Sequence, residues 1–195
     1  MLELFPLESF LKAFALIFAI MDPFGSLPVF LVVTKKFTEE NRVKAANQAL
    51  LAATAVVLVF LFFGNGILDL FRISYDDFRI AGGAVLLVLG AQLVFGYGRR
   101  EQPGKDYHVA ATIIGVPLIT GPGVITSLIV LSASEGFLVT LCAALVSLFV
   151  NWVILLNSGK VFRLLGENVV NISSKVLGLL LIAVAVGFIR GGLGG

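Results

Sequence analysis

Asp22 is the only acidic residue well inside an apolar run of this chain, and it opens the stretch Asp22-Pro23-Phe24-Gly25-Ser26-Leu27-Pro28. A second interruption, Pro117-Leu118-Ile119-Thr120-Gly121-Pro122-Gly123, stands in an equally apolar run of the second half. Proline removes a backbone donor and clashes with the preceding turn, so each stretch breaks a helix and begins another. Asp22 is a strong N-cap type and Pro23 suits the first helical position. In the second stretch Gly121 takes the cap position, with Pro122 first and Gly123 second. A helix start leaves backbone N–H groups without intrahelical partners and carries partial positive charge. Facing a cavity, such an end is an anion site.

The two starts differ. The first can satisfy its donors with the Asp22 carboxylate, whereas the second has only a glycine cap. A substrate carboxylate is therefore expected at Gly121–Gly123, where Gly123 permits close backbone approach and Thr120 and Thr126 stand nearby. A substrate ammonium is expected nearer Asp22 and the carbonyls released before Pro23. Together the two ends suit a zwitterion. Two readings stay open for Asp22, a helix cap and a proton-carrying carboxylate, because an ionised group inside a membrane is expensive to keep. Asn47 and Asn151 are further candidates, either for substrate or for interhelical bonding. Trp152 suits an interface anchor better than a ligand, and Phe24 is placed to shape a pocket.

The elements that must position these residues are membrane helices. Hydrophobic residues make up 58% of the 195 and charged residues 13%, against roughly 25% charged in a soluble domain. The mean hydropathy is +1.04. Such a length accommodates about six crossings of roughly 20 residues with short loops. The apolar runs predict spans at 10–34, 45–63, 79–98, 109–133, 137–156 and 176–189. Gly64-Asn65-Gly66 is read as the end of the second span, and Gly191 to Gly195 as a frayed terminus. The last span is short, with Lys175 and Arg190 at its ends to snorkel to the interfaces. No basic region and cleavage site mark the first segment as a signal peptide, so it is read as retained. The formal charge of +2 gives no reason to expect nucleic acid. No cofactor is expected, and a single histidine, His108, cannot build a zinc site. Cys142, the only cysteine, reads as a packed thiol.

Basic residues orient the chain. Lys35, Lys36, Arg42, Lys44, Arg99, Arg100, Lys105, Lys160, Arg163 and Lys175 fall in the odd-numbered loops, against Lys12, Arg72, Arg79 and Arg190 on the other side. The positive-inside rule puts the odd loops in the cytoplasm and both termini outside the plasma membrane. The halves also resemble each other. Pro23 precedes Arg79 by 56 residues and Pro122 precedes Lys175 by 53. Each half reads as a broken span, an intact span, and a glycine-bearing span opened by a base. Three crossings reverse the second copy, which makes an inverted repeat with both breaks near the midplane. The expected fold is an all-α integral membrane protein of six transmembrane helices in two inverted three-helix repeats. Residues 1–98 form the first repeat, 99–108 a cytoplasmic linker, and 109–195 the second.

The two break motifs, together with Arg79-Ile80-Ala81-Gly82-Gly83, resemble those of MarC/SnatA-type membrane proteins in the first, fourth and third segments. The likeness extends over length, six-span layout and order of motifs. It implies transport of small neutral amino acids such as glycine, alanine and serine, driven by an ion gradient, with protons as the coupling ion. It points to Asp22, Pro23, Gly25 and Pro28, with Ser26 between them, and to Pro117, Gly121, Pro122 and Gly123. Other classes fit less well. An intramembrane aspartyl enzyme needs two facing carboxylates, and Asp22 has no intramembrane companion; a serine enzyme needs a base, whereas His108 falls in a loop and no Gly-x-Ser-x-Gly occurs. An exporter or channel-like permease for another small solute is the alternative, since half-helix starts also line pores.

Overall fold

The computed structural model describes residues 6–34, 36–96 and 120–194. Among these residues every regular element is helical. Seven helices follow in order: α1 (Leu7–Met21), α2 (Pro23–Val33), α3 (Glu39–Phe71), α4 (Tyr75–Phe95), α5 (Pro122–Ser134), α6 (Phe137–Leu156) and α7 (Ser158–Leu193). Five stretches are long and apolar enough to cross a membrane: Leu7–Leu27, Glu39–Phe71, Tyr75–Phe95, Phe137–Leu156 and Asn168–Leu193. Gly123–Ser134 is a shorter apolar helix. The linker at 99–108, with His108, and the first part of the expected fourth span, with Pro117, lie outside the described residues.

The expected break separates α1 from α2 at a single residue. Asp22 adopts φ 39° and ψ 66°, a left-handed conformation that short polar side chains tolerate better than most. Pro23 cannot supply an N–H to the Ala19 carbonyl, which instead accepts from the Asp22 N–H at 3.3 Å. The chain turns, and α2 restarts with Pro23 in first position.

Two span lengths differ from the sequence reading. The second span, α3, does not stop at Gly64-Asn65-Gly66 but continues to Phe71. Gly64 serves contact there: a Cβ at that position would lie 2.7 Å from Ile129 Cγ1 on α5. The helix ends where Arg72 turns left-handed (φ 55°) and the Ile73 N–H reaches back to the Leu68 carbonyl at 2.9 Å. Ser74 then caps α4, accepting from the Asp77 N–H at 3.0 Å. The last span is likewise not short. Its helix runs through the polar residues before Lys175 and on through Gly191 and Gly192. It is interrupted only at Gly166, whose φ of 75° and ψ of 162° are accessible to glycine. Gly192 is packed rather than frayed, since a Cβ on it would meet the Asp76 carbonyl at 2.7 Å. The fifth span coincides with its expected range.

α4 and α7 form the most extensive helix pair. Gly83 faces Ala185 and Ile189, Gly90 faces Gly178 and Ile182, and Gly192 faces Asp76 and Ile80. One number rises as the other falls, so the two helices are antiparallel. Cβ atoms at Gly90 and Gly178 would each lie within 2.8 Å of the opposite glycine's carbonyl oxygen. Small residues give the close backbone approach on which helix association in lipid depends. Around this pair, α2 lies on α7 and α5 lies on α4. α1 packs against α6, and α3 against both α5 and α6. The buried core is rich in alanine where α1, α3 and α6 face inward, including Ala13, Ala45, Ala49, Ala53, Ala143 and Ala144.

Candidate functional site

Asp22 is 7% exposed and serves two helices at once. Its Oδ1 accepts from the Gly25 N–H at 3.0 Å, capping α2. The same oxygen accepts from Ser174 Oγ on α7 at 3.3 Å. Its carbonyl accepts from the Ser26 N–H and from Ser26 Oγ, both at 3.0 Å. Capping by Asp22 is therefore present, and the carboxylate also bonds across to a helix of the other half. Gly25 and Ser26 are buried beside it. Phe24 is half-buried and meets Phe18 edge-on, with ring centroids 6.3 Å apart. Pro28 continues α2 and has no N–H to return to the preceding turn.

At the second break Gly121 caps α5 with φ −59° and ψ 175°, and no side chain bonds to the helix start from the cap position. Pro122 is first, as expected. The Gly121 carbonyl accepts from the N–H groups of Val124 at 2.9 Å and Ile125 at 3.3 Å. Thr120 and Thr126 are buried, and the Thr126 side chain presses against Gly82 on α4. Gly123 is surrounded by side chains. A Cβ there would lie 2.8 Å from Leu86 Cδ2, 2.9 Å from Leu89 Cδ1 and 3.2 Å from Ile20 Cγ2. Ile20 is two residues before Asp22, so the two breaks lie one side chain apart.

The two asparagines part company. Asn47 is exposed, and its Oδ1 accepts from Trp152 Nε1 at 2.8 Å, tying α3 to α6. This is the interhelical role weighed for it in the sequence. Asn151 is 1% exposed. Its Nδ2 donates to the Ser147 carbonyl at 3.1 Å and approaches Met21 Sδ at 3.6 Å. Met21 immediately precedes Asp22, which places Asn151 beside the first break.

Sequence reasoning missed Ser174 and Ser147. Ser174 lies just outside the range expected for the last span, and its partner is 152 residues away. Ser147 precedes Asn151 by one helical turn, so the spacing alone places both on one face.

The chain is similar in sequence to known membrane proteins. The family model described as "MarC family integral membrane protein" matches residues 7–195. A UPF0056 membrane protein of Methanocaldococcus jannaschii is 35% identical, the alignment covering 97% of this chain and 98% of that protein. One from Archaeoglobus fulgidus is also 35% identical, over 96% and 93% of the two chains. The UPF0056 membrane protein YhcE of Escherichia coli is 32% identical over 98% and 94%. No solved structure matches the chain. With apolar helices throughout the described residues and a family match over nearly its full length, the chain belongs to the MarC family of integral membrane proteins.

Proposed function

We propose that this chain is a secondary transporter of small neutral amino acids such as glycine, alanine and serine, coupled to protons and working by alternating access. The observation that carries this reading is the contact between the α1–α2 break and the start of α5, where Ile20, two residues before Asp22, lies against Gly123. Discontinuous helices bring helix-end charge and released carbonyls to a common point, where a zwitterion finds partners for both its groups. The antiparallel α4–α7 pair supports an inverted repeat, as does the seating of α2 on α7 and of α5 on α4. In that arrangement each half-helix rests on the third span of the opposite copy. Rocking one copy against the other would expose the breaks to alternate faces.

Reconstituted liposomes test the reading. With an inward proton gradient the protein should accumulate labelled glycine and alanine, and unlabelled serine should compete. No uptake under proton or sodium gradients removes the substrate assignment. Saturable uptake that ignores the proton gradient removes the coupling alone. Asp22→Asn refines the second point, because Asn retains the cap and the left-handed backbone. Loss of proton-driven accumulation, with exchange between internal and external amino acid preserved, assigns the proton to Asp22. Accumulation unchanged in this variant leaves Asp22 as a cap.

A further inference from the structure

Two side-chain oxygens one turn apart on α6, Ser147 Oγ and Asn151 Oδ1, are buried with no hydrogen-bond partner. Ser147 is 0% exposed and Asn151 1%. The amide orientation is fixed by its surroundings. Nδ2 donates to the Ser147 carbonyl, and exchanging the two amide atoms would set one carbonyl oxygen against another. The orphaned atom of Asn151 is therefore an acceptor. A hydroxyl can rotate in search of a partner, but an amide oxygen waits for a donor to come to it. Buried unsatisfied polar atoms are costly, and hydrocarbon supplies no water to relieve them. Two acceptors one turn apart on the same helix, with Asn151 next to the Met21–Asp22 break, suit a group that donates hydrogen bonds.

We propose that Ser147 and Asn151 form a recognition site for a primary ammonium group. On the transporter reading, on which this inference rests for its cargo, it is the ammonium of the carried amino acid. An ammonium has three donors and no acceptor, which matches an amide oxygen and a hydroxyl oxygen offered from one helix face. A carboxylate would face the Asn151 Oδ1 as acceptor against acceptor. Asp22, next in sequence to Met21, is buried and acidic, and intramembrane cations pair with groups of this kind.

The experiment is thermal unfolding of the purified full-length chain in detergent, titrated with glycine, methylammonium or acetate. A ligand that binds the folded state raises the unfolding temperature with its concentration. Wild type should respond to glycine and to methylammonium, and not to acetate at matched ionic strength. Ser147→Ala should weaken both responses by about tenfold, as expected on losing a hydrogen bond to a charged group. Without ligand it should unfold at a higher temperature than wild type, because an orphaned polar atom has been removed. Asn151→Ala should weaken both responses by at least as much. If Asn151→Ala does not fold, Ser147→Ala decides alone. Undiminished glycine and methylammonium affinities in the variants would overturn the inference, assign the pair to an internal water, and leave the transporter reading standing. A wild-type response to methylammonium but to no amino acid would keep the ammonium site and remove the proposed cargo. No response to either removes both.

Discussion

At the first break a single acidic residue ends one helix and starts the next, and its carboxylate holds both the Gly25 N–H and the hydroxyl of a distant serine. At the second, a glycine starts the helix with no side chain to contribute, and the residue two places on is enclosed by Leu86, Leu89 and Ile20. The first junction is thus held by hydrogen bonds and the second by shape. A polar junction inside a membrane is stable only while its groups are paired. A glycine junction is stable only while its volume stays small. The first should respond sharply to loss of polarity and tolerate modest changes of size, and the second should do the reverse.

Removing the carboxylate gives the largest expected effect. Asp22→Ala loses the cap of α2, leaves the buried Ser174 hydroxyl without its acceptor, and forces alanine into a left-handed conformation. These losses together amount to about 4 kcal/mol of stability. Asp22→Asn keeps an oxygen acceptor of the same shape and should lose under about 1 kcal/mol. Thermal or denaturant unfolding in detergent ranks the two. If Asp22→Ala proves as mild as Asp22→Asn, the first junction is not held by its polar contacts.

Adding volume at the second junction comes next. Gly123→Val puts its branched side chain against Leu86 Cδ2, Leu89 Cδ1 and Ile20 Cγ2, and overpacking of this kind destabilises by about 1–3 kcal/mol. Leu89→Ala introduced with it should return part of the loss, because the pair shares one space and their effects should not add. A full loss with no rescue would place the strain elsewhere. The same variant would also weaken ligand binding if a carboxylate docks at this helix start. Only that second effect should persist when stability has been restored by the Leu89 change.

The position of the first break was legible because its cause is local: Pro23 lacks a donor and Asp22 accepts the turn it enforces. The span Phe137–Leu156 was legible for a similar reason, being an uninterrupted apolar run that starts just after Gly136. The ends of the second and last spans were not, because polar residues and glycines there read as stops while tertiary contacts keep the helix going. Gly64 is retained against Ile129, and Gly192 against the Asp76 carbonyl and Ile80. Of the site, the candidates at the two breaks could be named from proline and glycine chemistry, but what encloses them could not. Nothing near Gly123 in the sequence announces that Leu86 and Leu89 cover it, and nothing near Asp22 announces Ser174. Asn47, followed by Gln48 at the polar start of its helix, and Asn151, a lone amide in an apolar one, were both candidates in the sequence, and their neighbours separate them.

The smallest expected effect comes from making the second junction chemically more like the first. Gly121→Ser supplies a hydroxyl at the cap position of α5, and the backbone there, at φ −59° and ψ 175°, is one that any residue adopts. A serine cap improves on glycine by only a few tenths of a kcal/mol, so the variant should unfold at nearly the wild-type temperature. Its informative readout is uptake. A hydroxyl oxygen placed over the start of α5 would compete with a substrate carboxylate for the same N–H groups, and glycine uptake should then require a higher substrate concentration for half-maximal rate. Unchanged uptake beside unchanged stability would mean that the start of α5 serves packing alone. The carboxylate would then have to be held elsewhere, and the two breaks would differ in function as well as in construction.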